Sequence, residues 1–134
     1  MTRYVIDAPT LLHLVDERLP LDPAHQLVAP SSIRSEALGI LLGQVRDGTR
    51  EESSVRSTHE RMTEVRMRLL GDRVSRMTSW AIAREHGWAS LRDAEYLAVT
   101  RLQADALVSV DPELLARADG VVPVAPLSAL LGPG

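Results

Sequence analysis

The chain has 134 residues, a net charge of −3 and 45% hydrophobic residues, enough for one domain, residues 1–134, that buries roughly two-thirds of its unfolded-chain surface. A mean hydropathy of −0.04 and no apolar run near the ~20 residues of a membrane span describe an ordinary globular chain and exclude a membrane-spanning one. The absence of cysteine excludes a disulfide framework and thiolate chemistry. All 15 basic residues are arginine, which with no lysine or asparagine reads as the mark of a GC-rich genome rather than of a phosphate-binding surface.

In chain order, Arg3–Asp7 reads as a first strand of aromatic, β-branched and apolar residues. No signal-peptide pattern precedes it, so a cytoplasmic protein is expected. Pro9, Leu11, Leu12 and Val15 follow at helical spacing, and Leu19–Pro23 is rich in turn residues. His25–Pro30 is a second extended segment, with Ser31 or Ser32 where a helix N-cap belongs. Ile33, Ala37, Ile40, Leu41 and Val45 make the apolar face of that helix, closed by Asp47-Gly48. Thr49-x-x-Glu52 matches a capping box, so a charged helix is expected from about Glu52 to Arg68 over a thin seam of Val55, Met62, Val65 and Leu69.

After Gly71-Asp72, Val74, Met77, Ala81 and Ile82 mark a helix ending at His86-Gly87, with Trp80 and Trp88 expected in or beside the core. Leu91, Ala94, Ala98 and Leu102 form the apolar stripe of a helix beginning near Ser90. Ala106–Val110 is a short strand, Asp111-Pro112 opens another helix, and Val121–Val124 is a last strand before a Pro/Gly tail expected to fray.

Four acidic residues hold the functional interest. Asp7 and Asp111 stand at strand ends, Asp93 in the first turn of a helix, and Glu36 on a helix's apolar face. Asp7 and Asp111 also match N-caps, and Ser90-x-x-Asp93 matches a capping box, so structural capping is an open reading for these three. Glu36 is different. It lies between Ile33 and Ile40, where a carboxylate is costly unless it is paired, as by Arg34 or a more distant arginine, hydrogen-bonded or metal-bound. In a parallel sheet, strand ends and the helix starts that follow share one edge, so the four can converge there. Close carboxylates raise one another's pKa unless a cation neutralises them, and Mg²⁺ or Mn²⁺ prefers oxygen ligands and can activate water against a phosphodiester. The four histidines lack metal-ligand spacing, and no P-loop, G-x-G-x-x-G or G-x-S-x-G is present, so nucleotide-cofactor and serine-nucleophile chemistry have no support.

These residues carry a resemblance. YVIDAPTLL, SSIRSEALGILL, SLRDAEYLAVTRLQADALVSVDPELL and the closing VVPV resemble, in order and over nearly the whole chain, a PIN-domain ribonuclease. More narrowly they are similar to VapC-type toxins of type II toxin–antitoxin systems. The resemblance implies a three-layer α/β/α fold around a small, mostly parallel sheet, and a Mg²⁺-dependent endoribonuclease with Mn²⁺ as alternative. It implies a catalytic cluster of Asp7, Glu36, Asp93 and Asp111, with Asp7 and Asp93 as metal ligands. It also implies an RNA substrate, a cognate VapB-type antitoxin and a homodimer. Family members often carry Ser or Thr two residues after the first aspartate; here that place is Pro9, leaving Thr10 as an alternative hydroxyl. Ser109 and Glu113 flank Asp111 as auxiliary candidates, with turn and cap roles as their other reading.

Overall fold

Two directions of crossover set the architecture, which a computed structural model describes for residues 1–133; Gly134, the end of the tail expected to fray, lies outside the described residues. β1 (Arg3–Ile6) leads through α1 (Ala8–Asp16) to β2 (Gln26–Pro30). β2 leads through α2 (Ile33–Asp47), a 3-10 turn at Glu52–Ser54 and α3 (Val55–Glu64) to β3 (Arg68–Leu70). α4 (Arg73–His86) and α5 (Arg92–Gln103) then carry the chain to β4 (Ala106–Val108), followed by α6 (Pro112–Ala118) and a 3-10 turn at Leu127–Leu130.

The strands are all parallel, in the order β3-β2-β1-β4. Parallel crossovers are right-handed almost without exception. The march from β1 to β3 therefore puts α1–α3 on one face, and the return to β4 puts α4 and α5 on the other. The packing agrees: α1 touches α2 and α3, while α5 packs on β1, β2, α4 and α6. This is a three-layer α/β/α fold. Its central strands β1 and β2, and β4 beside them, are covered on both faces, with Val5, Ile6, Val28, Leu107 and Val108 at 0% exposure, which is why they read as unbroken apolar runs. Among the described residues no helix is long and apolar enough to cross a membrane.

Several elements differ from the expectation. The charged helix ends at Glu64, and Arg68–Leu70 is the edge strand β3; three residues at the end of a charged run carry too little periodicity to be seen. The capping box at Thr49 does not form, because its hydroxyl donates to Asp47 and the Gln44 carbonyl instead. The last strand shrinks to one bridge, Leu107 to Val124, whose flanking bonds from Leu107 N to the Pro123 carbonyl and from Ala125 N to the Leu107 carbonyl cover the β4 edge. The tail is pinned as far as Gly132, whose N–H donates to the Pro20 carbonyl at 2.8 Å beside the Leu21–Leu131 bridge. β4 stops at Val108 rather than Val110, and α5 begins at Arg92, two residues late.

The expected stripes also shift. In α5, Ala94 and Ala98 of the expected stripe are buried, but Leu91 and Leu102 at its ends face solvent, and Asp93, Tyr96, Leu97, Val99 and Thr100 are buried as well, because the helix is covered on two sides, by the sheet and by α4. In α4, Val74 and Met77 are exposed and Ser75, Ser79, Ile82 and Ala83 are buried. Trp80 is 53% exposed, against expectation. Trp88 packs beside the core as expected.

Candidate active site

The connections from β1 and to β4 run on opposite faces, so a crevice opens beyond the carboxyl ends of these neighbours. Asp7 is the first residue past β1 and the N-cap of α1, in extended conformation, accepting from Thr10 N at 3.3 Å. The Thr10 hydroxyl donates to the same oxygen, Oδ1, and Ser109 Oγ donates to Oδ2 at 2.9 Å. In turn Val110 N donates to Thr10 Oγ1 and Asp111 N to Ser109 Oγ, each at 3.0 Å. Two hydroxyls thus stitch the end of β1 to the loop after β4 and fix the Asp7 carboxylate. The carboxylate is only 3% exposed. Burial pushes its pKa up, the hydrogen bonds from Thr10 and Ser109 pull partly against that, and the charge of Asp111 adds to the rise.

Glu36 projects from the first turn of α2. Tyr96 Oη donates to its Oε2 at 3.0 Å and Ser32 Oγ to its Oε1 at 3.2 Å. Burial raises its pKa, offset by those two bonds and by Arg92. Ser32 is the N-cap of α2 by position, but its hydroxyl serves Glu36 rather than the helix backbone. Of the arginines expected to balance Glu36, Arg34 is engaged elsewhere, its Nη2 donating to the Val65 carbonyl, and the more distant Arg92 supplies the nearby positive charge. Tyr96 is held well above the usual phenol range by its own burial first and then by Glu36, so it stays a donor.

Asp93 sits in the first turn of α5 and is buried. It is no capping-box partner: the N-cap is Leu91, Ser90 Oγ accepts from Arg92 N, and Asp93 instead accepts from Arg117 Nη1 at 3.0 Å. Arg92 Nε lies 3.8 Å from its other oxygen. The Arg117 guanidinium lies 4.7 Å from the Trp88 ring centroid, a cation–π contact that steadies it. Asp111 caps α6 as expected, accepting from Glu113 N at 3.0 Å through Oδ1. The exposed Glu113 side chain takes no part.

Asp7, Glu36, Asp93 and Asp111 line one cavity of about 370 Å³, together with Pro9, Gly39, Ile40, Arg92 and Tyr96. Thr10 and Ser109 grip Asp7 from behind rather than facing the cavity. As the side chains stand, no three Asp, Glu or His groups among the described residues are close enough to clamp one ion. Tyr96 and Arg117 were not among the residues singled out from sequence. Tyr96 left a signal, since it lies one helical turn after Asp93; Arg117 left none, because its contact spans 24 residues.

No family model matches the chain, and no curated protein does. The chain is similar in structure to the crystal structure of PAE2754 from Pyrobaculum aerophilum, with a TM-score of 0.68 and 21% identity over 96% of this chain and 92% of that one. At that identity the likeness speaks for the fold alone.

Proposed function

We propose that the chain is a metal-dependent endoribonuclease of the PIN-domain kind, the toxin of a type II toxin–antitoxin pair. The observation that carries this reading is the meeting of four carboxylates, from four separate stretches of chain, on one cavity at the carboxyl edge of a parallel sheet. Capping does not account for it. Asp7 and Asp111 cap helices, but Glu36 and Asp93 cap nothing and still face the cavity.

The donor set is all oxygen and fits Mg²⁺ or Mn²⁺. Mg²⁺ usually takes only one or two carboxylates and keeps its waters. Asp7 and Asp93 would hold it directly, with Glu36 and Asp111 reaching it through water. When bound, the ion supplies Lewis acidity at the phosphate and a more acidic water. The chain's own groups do the rest. Glu36, its pKa raised by burial toward the working range of a general base, takes a proton from the attacking water. Tyr96 holds the other Glu36 oxygen and keeps the carboxylate aimed. Arg92, on the cavity wall, meets the phosphate. The water oxygen bonds to phosphorus as the P–O3′ bond breaks, leaving a 5′-phosphate and a 3′-hydroxyl that takes up a proton.

The same reading includes a cytoplasmic location, a homodimer and a cognate antitoxin. Exposed apolar side chains, Leu38 and Leu42 on α2 and Val74, Met77 and Trp80 on α4, are surfaces such partners would cover. The test is cleavage of single-stranded RNA by purified protein with Mg²⁺ or Mn²⁺, beside Asp7→Asn and Asp93→Asn. Cleavage lost in both variants is expected; cleavage unchanged in both refutes the proposal. The toxin role predicts growth arrest on expression, relieved by co-expressing the small protein encoded next to this gene.

A further inference from the structure

A second cavity, of about 220 Å³, opens beyond the carboxyl ends of β2 and β3. Pro30, Leu70 and Val99 give it apolar walls, and Ser31, Arg76 and Glu95 give it polar ones. It adjoins the acidic crevice: Ser32 lines it and donates to Glu36, and α5 sends Asp93 and Tyr96 to the crevice and Glu95 and Val99 to this cavity. The charge of Glu95 is felt at Glu36.

Glu95 is partly exposed on the cavity wall, and its carboxylate accepts no hydrogen bond from any described residue. Its oxygens are therefore open to donors brought by a ligand in the cavity. Arg76 Nη1 donates to the Gly71 carbonyl at 2.7 Å, which holds the guanidinium at the wall. Gly71 lets the Ser31 hydroxyl lie close over the backbone there, since a Cβ would fall 2.5 Å from Ser31 Oγ and turn it aside.

We infer that this cavity is a nucleobase subsite that reads guanine beside the scissile phosphodiester, through the Glu95 carboxylate with Arg76 against the ring. This rests on the endoribonuclease reading above. Unstacked bases of single-stranded RNA are read on their Watson–Crick edges and stacked on guanidinium planes. A carboxylate offers two acceptors side by side. Guanine alone among the four bases answers with two adjacent donors, N1–H and N2–H; adenine and cytosine set an acceptor beside their amino group, and uracil flanks its N–H with carbonyls.

The test is cleavage of a random-sequence RNA library by the full chain with Mn²⁺, with sequencing of the cut sites for wild type, Glu95→Gln and Ser31→Leu. Wild type is expected to favour guanine about 10- to 100-fold at one fixed position near the cut, the discrimination of a good bidentate contact. Glu95→Gln, which pairs one donor with one acceptor, moves that preference toward adenine. Ser31→Leu crowds the mouth and flattens it, a check that does not depend on Glu95. No guanine preference in wild type, or an unchanged preference in Glu95→Gln, overturns the inference while leaving the nuclease intact. No cleavage of any RNA by wild type overturns the nuclease reading and this inference with it.

Discussion

Asp7 does three things that substitution can separate. It caps α1 through Thr10 N, it accepts from two hydroxyls, and it buries a negative charge. Asn caps a helix about as well as Asp, and its amide can donate to Ser109 Oγ where Asp7 accepts, so Asp7→Asn removes the charge alone. Burial holds the folded pKa of Asp7 above the usual carboxylate value of 3.8. Its contribution to stability is therefore fully present below that value and is lost as pH rises through the folded pKa. At pH 7 without metal, Asp7→Asn should melt above wild type, and the gap should close as the pH falls toward 3.8. Asp7→Ala also loses the cap, about 1 kcal/mol, and leaves two hydroxyls without their acceptor, at least about 1 kcal/mol more. It should fall at least about 2 kcal/mol below Asp7→Asn, or roughly 6–8 °C for a chain of this length. Mn²⁺ at a hundred times its Kd adds about 2.7 kcal/mol to any form that binds it, roughly 10 °C in wild type and nothing in Asp7→Asn. Circular-dichroism melts in EDTA and in Mn²⁺ read both effects. A lower melting point for Asp7→Asn in EDTA, or equal gains in Mn²⁺, would refute the account of Asp7 as a buried ligand.

Tyr96→Phe removes a bond that lowers the Glu36 pKa, so the acid limb of the pH–rate profile should move to higher pH, at a stability cost of about 1 kcal/mol; an unmoved limb would take Glu36 out of the base role. Arg117→Ala withdraws the cation now paired with Asp93, and calorimetry should find Mn²⁺ binding tighter than in wild type; weaker binding would make Arg117 a support for the site rather than a competitor. Arg50 joins three helices, donating to Asp16 at 2.7 Å, Gln44 at 2.7 Å and Thr58 at 3.3 Å. Arg50→Ala should cost about 2 kcal/mol in melting experiments while leaving the Mn²⁺-induced gain as it was.

What could be read in advance follows the range of the interaction. The caps at Asp7 and Asp111 depend on neighbours within a few residues, and the central strands, though paired far along the chain, are buried on both faces and show as apolar runs; these runs and the Asp7-Ala8-Pro9 and Asp111-Pro112 signals are visible in the chain. The α5 stripe misled because the helix is buried on two sides, and a two-sided helix has no single apolar face. β3 was hidden because an edge strand of three residues takes its identity from the ladder with β2 rather than from its own composition. Tyr96 and Arg117 were legible only in part or not at all, since each acts on a carboxylate far away in the chain, 60 and 24 residues off.

The overlap of cap and candidate ligand at Asp7 and Asp111 has a physical reason. A strand that ends where a helix begins points the helix's free N–H groups toward the sheet's carboxyl edge, and a carboxylate placed to satisfy them is held against that edge. Capping fixes one oxygen and leaves the group's remaining lone pairs toward the crevice, as at Asp111, where Oδ1 takes Glu113 N. The two roles therefore reinforce each other. The decisive residues are the two carboxylates with no capping role: Glu36, held by Tyr96 and Ser32, and Asp93, held by Arg117. Each is kept in a costly place by a donor from elsewhere in the chain, which is the arrangement the proposed role at the crevice needs.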